Sequence, residues 1–385
     1  MLLQQARLLF RAHCFCLTTT LLLSTPVFLA AQDEVATKEK AGNIQATVER
    51  VKDVLEGFEI GPKTRFLPYA SLENWFDPYG GFKLGHAAPW HSSDRLYHHV
   101  RVESVRDFSW KLRYVASSIS SSTTQFSFLF KTKFDRDSFF YGLGNRTVKG
   151  DRQRATYSSV FFGVEISQVI LNKAVYRWST GIWHFRSGLL AGGEFEEPSS
   201  AQYFTTRFTF SDIKSIDYWN SNTDRQWNTY LEVGLTPDGD VAPYAKFHFQ
   251  TISRFPVTGA TKFGIGTKFE YLFAANRHKM PYFAIPEIGS RNGLRGFSNE
   301  RFRDYGVIGL NFEYSLHLSR DMETFTLADV ARTASKLEDF SVGHLHGDFG
   351  FGFRYKNNNK PISMGMASGD EGWKLFTTMA TGLPW

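Results

Sequence analysis

The sequence predicts an all-β protein: a transmembrane antiparallel β-barrel of about 16 strands, with one long arginine-rich loop folded into its lumen. Three observations carry that prediction. From Thr64 to the C-terminus, short stretches place an aromatic or other apolar side chain on every second residue. The residues between them are polar or glycine in one stretch after another. The chain also holds 37 Phe, 16 Tyr and 9 Trp within a hydrophobic total of only 42%. A soluble core of this length leans on Leu, Ile and Val, whereas a wall facing lipid with aromatic belts at both interfaces favours rings.

Residues 1–31 read as a secretory signal peptide. Arg7 and Arg11 supply the positive region, Cys14 to Leu29 is largely apolar, and Leu29-Ala30-Ala31 offers a small-residue cleavage site. Cleavage near Gln32 removes Cys14 and Cys16, the 2 cysteines of the chain, and excludes disulfides, zinc thiolates and a cysteine nucleophile from the mature protein. Loss of Arg7 and Arg11 lowers the formal net charge from +6 to +4. The remaining charges are scattered, which leaves no nucleic-acid footprint. No run of about 18 apolar residues follows the leader, so no membrane-spanning helix can be placed. An exported chain of this kind is soluble, secreted or built into a membrane as strands.

Residues 32–63 form a short charged segment, with Ile44, Val48, Val51 and Leu55 at helical spacing. It reads as a periplasmic stub leading into the first strand, or as a small helix docking in the barrel mouth. Residues 64–385 are the barrel. Phe126, Phe128, Phe130 and Phe134 oppose Gln125, Ser127, Lys131 and Lys133; Phe204, Phe208 and Phe210 oppose Thr205, Arg207 and Thr209. Phe263, Ile265, Phe269, Tyr271 and Phe273 oppose Gly264, Gly266, Lys268 and Glu270, and Phe349, Phe351, Phe353 and Tyr355 oppose Gly350, Gly352 and Arg354. In a soluble sandwich these aromatic faces would have to meet in one core and would overfill it. In a membrane barrel they point to lipid while the polar faces line a wet lumen.

At roughly 20 residues per strand and loop the stretch from Thr64 holds about 16 strands, the even number such barrels prefer. Candidate runs begin near residues 66, 80, 98, 108, 125, 155, 174, 202, 226, 243, 261, 280, 305, 323, 346 and 373, with tight turns at Pro237-Asp238-Gly239-Asp240 and Asn357-Asn358-Asn359-Lys360-Pro361. Between the runs Tyr282 to Glu287 and Tyr305 to Leu318 lies Ile288 to Asp304, with four arginines and the tetrad Leu294-Arg295-Gly296-Phe297. A loop so charged does not suit an ordinary core, and a solvated loop has little use for a Phe beside Gly. Folding back into a polar lumen suits both: Arg295 meets carboxylate and Phe297 meets the wall. The final run puts Trp373, Leu375, Met379, Leu383 and Trp385 in one phase and ends the chain on an aromatic.

With barrel, loop and terminus in place, the chain resembles the BamA/TamA family, the bacterial surface antigen superfamily of outer-membrane assembly and secretion barrels, over approximately Gly57 to Trp385. The resemblance rests on the Leu294–Phe297 tetrad about 90 residues from an aromatic terminus, on Arg301-Phe302-Arg303-Asp304, and on Asp137-Ser138-Phe139-Phe140-Tyr141-Gly142-Leu143-Gly144-Asn145, which looks like a loop recurrent in these barrels. It implies that Arg295 pairs with acidic residues on the inner wall of the next two strands, which here offer Glu313 and Asp329. A guanidinium fork satisfied by two carboxylates holds a long loop at modest entropic cost. The other reading has the three as independent lumenal charges. Leu327 and Ala331 stand where the family has an aromatic and a glycine around its Asp, and Pro384 departs from the usual assembly signal.

The resemblance further implies an exported outer-membrane barrel, without catalytic residues, metal or cofactor, that takes part in inserting, assembling or translocating proteins or lipids. Its expected partners are outer-membrane lipids, the barrel assembly machinery and periplasmic chaperones, and client outer-membrane proteins or a separate periplasmic partner, with no nucleic acid. That partner matters because residues 32–63 have no room for the polypeptide-transport-associated (POTRA) domains of the family's insertases. The alternative is a plugged pore for small solutes. Other chemistry is poorly supported: His98-His99 and His344-x-His346 lack a carboxylate set for a metal, His91-Ser92-Ser93-Asp94 is a local run and not a triad, and Gly142-x-Gly144 has no following Lys or helix to cradle phosphate.

Overall fold

The computed structural model describes residues 58 to 379, apart from 62–63, 73–77, 89–92, 103–106, 118, 121–122, 171–173, 190–199, 213–224, 238, 291–292, 320, 342 and 358–359. The predicted leader lies outside the described residues, and so does the segment after it up to residue 57. In chain order the strands are β1 (Phe58–Gly61), β2 (Thr64–Leu72), β3 (Pro78–Ala87), β4 (Arg95–Val102), β5 (Phe108–Val115), β6 (Thr124–Phe140), β7 (Gln153–Ile170), β8 (Ala174–Leu189), β9 (Ser200–Asp212) and β10 (Arg225–Leu235). They continue with β11 (Tyr244–Pro256), β12 (Thr261–Ala274), β13 (Glu287–Ile288), β14 (Phe302–Arg303), β15 (Gly306–His317), β16 (Met322–Ala334), β17 (His346–Asn357), β18 (Lys360–Gly369) and β19 (Gly372–Met379).

Sixteen of these, β2 to β12 and β15 to β19, form one antiparallel sheet in which each strand pairs with the next along the chain. β12 pairs with β15 across the long loop, Lys268 opposite Gly309 and Gly264 opposite Glu313. β19 stands beside β2 in the strand order, so the sheet returns to its start as a barrel. The short β1 folds back on the start of β2, Phe58 opposite Phe66. β13 and β14 form a separate ribbon. β6, β7 and β8 are the tallest part of the wall, with 17, 18 and 16 residues, against the roughly 9 to 11 that a tilted strand needs to cross a membrane.

The two faces divide as the alternation requires. Phe128, Phe134, Phe162, Phe204, Phe208, Phe210, Phe273, Phe349, Phe351 and Phe353 are exposed on the outside. Their neighbours Glu232, His248, Lys268, Glu270, Asn311, Glu313 and Asp329 are buried on the inside. Tyr271 departs from the pattern: it has the outward phase of β12 yet is buried, because Arg277 bonds its hydroxyl at 3.2 Å and the rings of Tyr271 and Phe340 meet over Gly306.

Two expectations about strands need correction. The run near residue 280, Tyr282 to Glu287, is not a strand but two short 3₁₀ turns, Arg277–Lys279 and Tyr282–Ala284, leading to the two-residue β13. Pro281 and Pro286 have no N–H for a ladder, and the alternating apolar side chains instead fill a cluster in which Met280, Ala284 and Ile285 pack on Phe185, Tyr203, Tyr244 and Leu272. The missing strand is β18, which begins within the expected turn at Lys360. Its outward residues are Met364 and Met366 and its inward ones Ser363, Gly365 and Ala367, a pattern with little β-branched or aromatic signal.

Candidate functional site: the arginine loop and its lumenal anchors

The connection from β12 to β15 occupies residues 275–305. Its first half packs in the cluster around Phe185 and Tyr203. The β13–β14 ribbon then pairs Glu287 with Arg303 and Ile288 with Phe302, which draws the ends of the tip together. The tip is closed tightly: Leu294 N–H donates to Gly289 O at 3.0 Å, and a Cβ on Gly289 would lie 2.3 Å from Ser298 O. Gly293 has φ of +124°, where a side chain is strained.

Arg295, Gly296 and Phe297 each meet a different part of the wall. Arg295 Nε donates to Asp329 Oδ2 at 2.8 Å and its Nη2 to Asp329 Oδ1 at 2.7 Å, a two-pronged contact, while Nη1 reaches Glu313 Oε2 at 3.2 Å. The Arg295 backbone N–H adds a bond to Asp329 Oδ2 at 3.2 Å. Asp329 is 0% exposed and has Asn311 opposite on β15, whose amide donates to Asp329 Oδ1 at 2.8 Å and to Gly293 O at 2.6 Å. Glu313 also takes a bond from Arg354 Nη2 at 2.9 Å, and Arg354 in turn binds Glu323 and lies over the Phe325 ring. Burial opposes charge on Arg295, but Asp329 and then Glu313 outweigh it and hold the guanidinium above its ordinary pKa.

Gly296 is needed for space. Its N–H donates to Asp348 Oδ2 at 2.8 Å, and a Cβ there would sit 2.7 Å from Asp348 Cβ and 2.8 Å from Gly369 N. Phe297 is buried with its ring against Gly369, where a Cβ would come within 2.5 Å of the ring. Phe297 also packs edge-on to Phe302 at 5.4 Å, within a cluster of Ile288, Leu294, Val307 and Ala331. Ala331 thus lies under the loop, and Leu327 belongs to a second internal cluster with Phe325, Ala367 and Phe376.

The second half of the loop reaches the opposite parts of the barrel end. Arg301 binds Glu371 in the β18–β19 turn and donates to Thr147 Oγ1 at 2.9 Å and Thr147 O at 2.7 Å in the β6–β7 loop. Arg303 joins Glu287 at 2.5 Å and Glu300 at 2.6 Å. Burial and then the neighbouring Glu287 raise the Glu300 carboxyl above its ordinary range. The motif Asp137 to Asn145 lies alongside: Gly144 N–H donates to Arg303 O at 2.8 Å, and Asn145 Oδ1 accepts from Thr333 N–H at 3.0 Å. Gly142 and Gly144 have φ of +90° and +102° and make a turn.

The structure therefore brings Arg295, Glu313 and Asp329 together, with Gly296 and Phe297 on the adjoining wall. It does not bring the terminal residues to this site. Trp373 is on the outer surface against Phe349 at 5.8 Å, Leu375 pairs with Met366, Met379 ends β19, and Leu383 and Trp385 lie outside the described residues. Successive residues of a strand face opposite ways, so His98 stacks between His86 and Trp110 while His99 turns to the other face. His344 contacts Arg146, and His346 stacks on Phe302 at 3.8 Å. His91 and Ser92 lie outside the described residues, and Asp94 accepts a bond from Tyr114. Sequence reasoning missed Asp348, Glu371 and Gly369. Asp348 was findable as the inward acid beside Phe349, whereas Glu371 reads as an ordinary turn residue.

No family model matches the sequence, and no curated protein matches it. Solved structures do share the architecture. BamA from Haemophilus ducreyi lacking POTRA domains 1–3 aligns with a TM-score of 0.62 at 10% identity, over 82% of this chain and 69% of that one. CdiB from Acinetobacter baumannii aligns with a TM-score of 0.56 at 12% identity, over 83% of this chain and 60% of that one. CdiB from Escherichia coli gives 0.52 at 12% identity, over 83% and 64%. The molecule is a transmembrane β-barrel with the BamA/TamA-type fold.

Proposed function

We propose that this chain is an outer-membrane barrel that takes part, without enzymatic chemistry, in the insertion, assembly or translocation of proteins or lipids. Residues 1–31 serve as its cleaved leader, residues 32–63 as a short periplasmic segment, and residues 64–385 as the barrel. Arg295, held by Asp329 and Glu313, acts as an internal latch that keeps the β12–β15 loop inside the lumen while the wall responds to a client. The phase of Trp373, Leu375, Met379, Leu383 and Trp385 serves delivery to the barrel assembly machinery. Client outer-membrane proteins and a separate periplasmic partner complete the reading.

The observation that supports it most is the Arg295 fork on Asp329, buried and backed by Asn311 and Asp348. A buried ion pair is a weak source of net stability but a strong constraint once made, since breaking one partner strands a buried charge. That suits a device that fixes the loop in one place. The test is heat-modifiable gel migration of the purified chain in detergent, with circular dichroism, for wild type and Arg295→Ala. It is run beside an assay of client assembly into vesicles. A boiling-sensitive compact band that weakens in the variant, together with lost client assembly, is expected. Full client assembly by Arg295→Ala would sink the latch.

A second reading, a plugged pore, is favoured by a cavity of about 390 Å³ in the lumen below the loop, lined by Lys133, Trp183, Tyr230, Lys246, His248 and Glu270 among others. On that reading Arg295→Ala raises single-channel conductance sharply while client assembly is unaffected.

A further inference from the structure

The lumen wall is electrically lopsided. On β15 to β17 the inward carboxylates of Glu313, Glu323 and Asp329 are each held by an arginine. On the opposite part of the barrel the register brings basic side chains together instead. His99 of β4 stands opposite Lys111 of β5, and Lys111 opposite Lys131 of β6, one cross-strand row on adjoining strands. The row faces inward, because the residues one step along, His98, Trp110 and Phe130, stack on each other in the other phase at 6.1 and 5.5 Å. Lys111 and Lys131 are both exposed to the lumen.

Like charges directly opposite across strands are destabilising. The acids nearest this pair are paired elsewhere: Glu165 with Arg113 at 2.6 Å, Glu232 with Arg207 at 2.6 Å and Asp135 with Lys133 at 2.9 Å. Among the described residues neither Lys111 nor Lys131 has an ion pair, and Lys131 rests its ammonium over the Phe161 ring at 5.0 Å. The next row toward the loop adds hydroxyls, with Ser109 opposite Lys133 and Lys133 opposite Ser159. Two water-facing lysines directly opposite on strands about 5 Å apart, beside serine hydroxyls and one row from Lys133, which lines the lumenal cavity, form a surface whose missing component is an anion.

We propose that the inner wall of β5 and β6 binds a soluble anion carrying two or more phosphate groups, with Lys111 and Lys131 as its principal contacts and Lys133, Ser109 and Ser159 at its edge. Phosphate is favoured over carboxylate because an ammonium is a compact charge that takes phosphate oxygens from many directions, whereas planar carboxylates suit the guanidinium fork. The arginines close by are of little use to such an anion: Arg113 is already engaged with Glu165, Ser127 and Gln125, and Arg207 with Glu232, while Arg101 adds positive charge beside Lys111. This site does not depend on the assembly reading, since it lies apart from the Arg295 latch.

The test is titration calorimetry of the full chain in detergent at low salt, with inorganic tripolyphosphate as the probe and citrate as the comparison. Wild type is expected to bind tripolyphosphate, with affinity falling steeply as salt rises. Lys111→Gln/Lys131→Gln is expected to lose about tenfold or more. Lys246→Gln, whose ammonium on β11 already faces Glu270 of the neighbouring β12 at 3.7 Å, is expected to bind as wild type does. Each variant is first shown to keep the heat-modifiable band. No binding by wild type, equal binding by the double variant, or an equal loss in Lys246→Gln would overturn the proposal, and citrate binding as tightly as tripolyphosphate would overturn its phosphate assignment.

Discussion

The wall of β15 to β17 and the wall of β4 to β6 are built on the same alternating pattern, yet they handle charge in opposite ways. On the first, the loop excludes water and the charges beneath it are paired, Arg295 with Asp329 and Glu313 and Arg354 with Glu313 and Glu323, while Asp348 takes the Gly296 N–H. On the second, Lys111 and Lys131 stay exposed among the described residues. The difference follows from solvation. A charge in a water-filled lumen is tolerated without a partner, whereas one under a packed loop is tolerated only when paired. The covered wall is therefore where single substitutions cost most.

The largest effect is expected at Arg295. Arg295→Ala leaves Asp329 buried and uncompensated, a loss of about 3–5 kcal/mol. It should appear as a large drop in the temperature at which the compact band is lost. Arg295→Lys keeps the charge but cannot make the paired Nε and Nη2 contacts, so it should fall between the alanine variant and wild type. If the lysine variant matched wild type, charge alone would suffice and the fork geometry would be irrelevant.

Next in size are the close approaches. Gly296→Val puts a Cβ 2.7 Å from Asp348 Cβ and against the backbone at Gly369, and overpacking of this kind costs about 1–3 kcal/mol. The loop must lift, so Phe297 loses its place over Gly369. Gain of protease cleavage between Gly289 and Arg301 is the expected readout. A cleavage pattern identical to wild type would mean that the loop tip has slack which these distances do not show.

Arg301→Ala should have a more local effect. It removes the tie between the β18–β19 turn and the β6–β7 loop, through Glu371 and Thr147. A charge-assisted bond contributes about 1.5–3 kcal/mol, here spread over two flexible ends. Faster amide exchange confined to residues near Glu371 and Thr147, with the Arg295 region unchanged, would separate this outer staple from the inner latch. Exchange rising across β15 and β16 as well would show the two to be one unit.

Legibility in the sequence followed the same division between near and far. Glu313 alternates with the outward Phe312 and Tyr314 on the first strand after the loop, so phase pointed it inward; Asp329 shares its inward face with Phe325, Leu327 and Ala331, and only the resemblance marked it. Asp348 and Glu371 meet the loop from later hairpins, through Gly296 and Arg301: the phase of Asp348 beside Phe349 turns it inward without naming its partner, and Glu371 reads as an ordinary turn residue. The run Tyr282 to Glu287 misled because side chains that fill a cap alternate much like side chains that face lipid. The prolines on either side of Phe283 were the available warning. β18 was overlooked for the converse reason, since methionine outside and small residues inside make a strand with little signal.

The smallest effect lies at the border of the two regimes, at Glu300. It is partly open to the cavity, and its carboxyl is raised by burial and then by Glu287, with Arg303 and Lys133 pulling the other way. A carboxyl whose folded pKa lies above its unfolded value favours the folded state at low pH and loses that contribution as pH rises through the folded pKa. Glu300→Gln cannot ionise and so should match wild type near pH 4. As pH rises toward 8 the variant should gain on wild type, read as the difference in band-loss temperature between the two proteins. A difference that stays flat, or that shrinks as pH rises, would mean that Arg303 already compensates Glu300 in full, and would move the border between paired and wet charge outward past this residue.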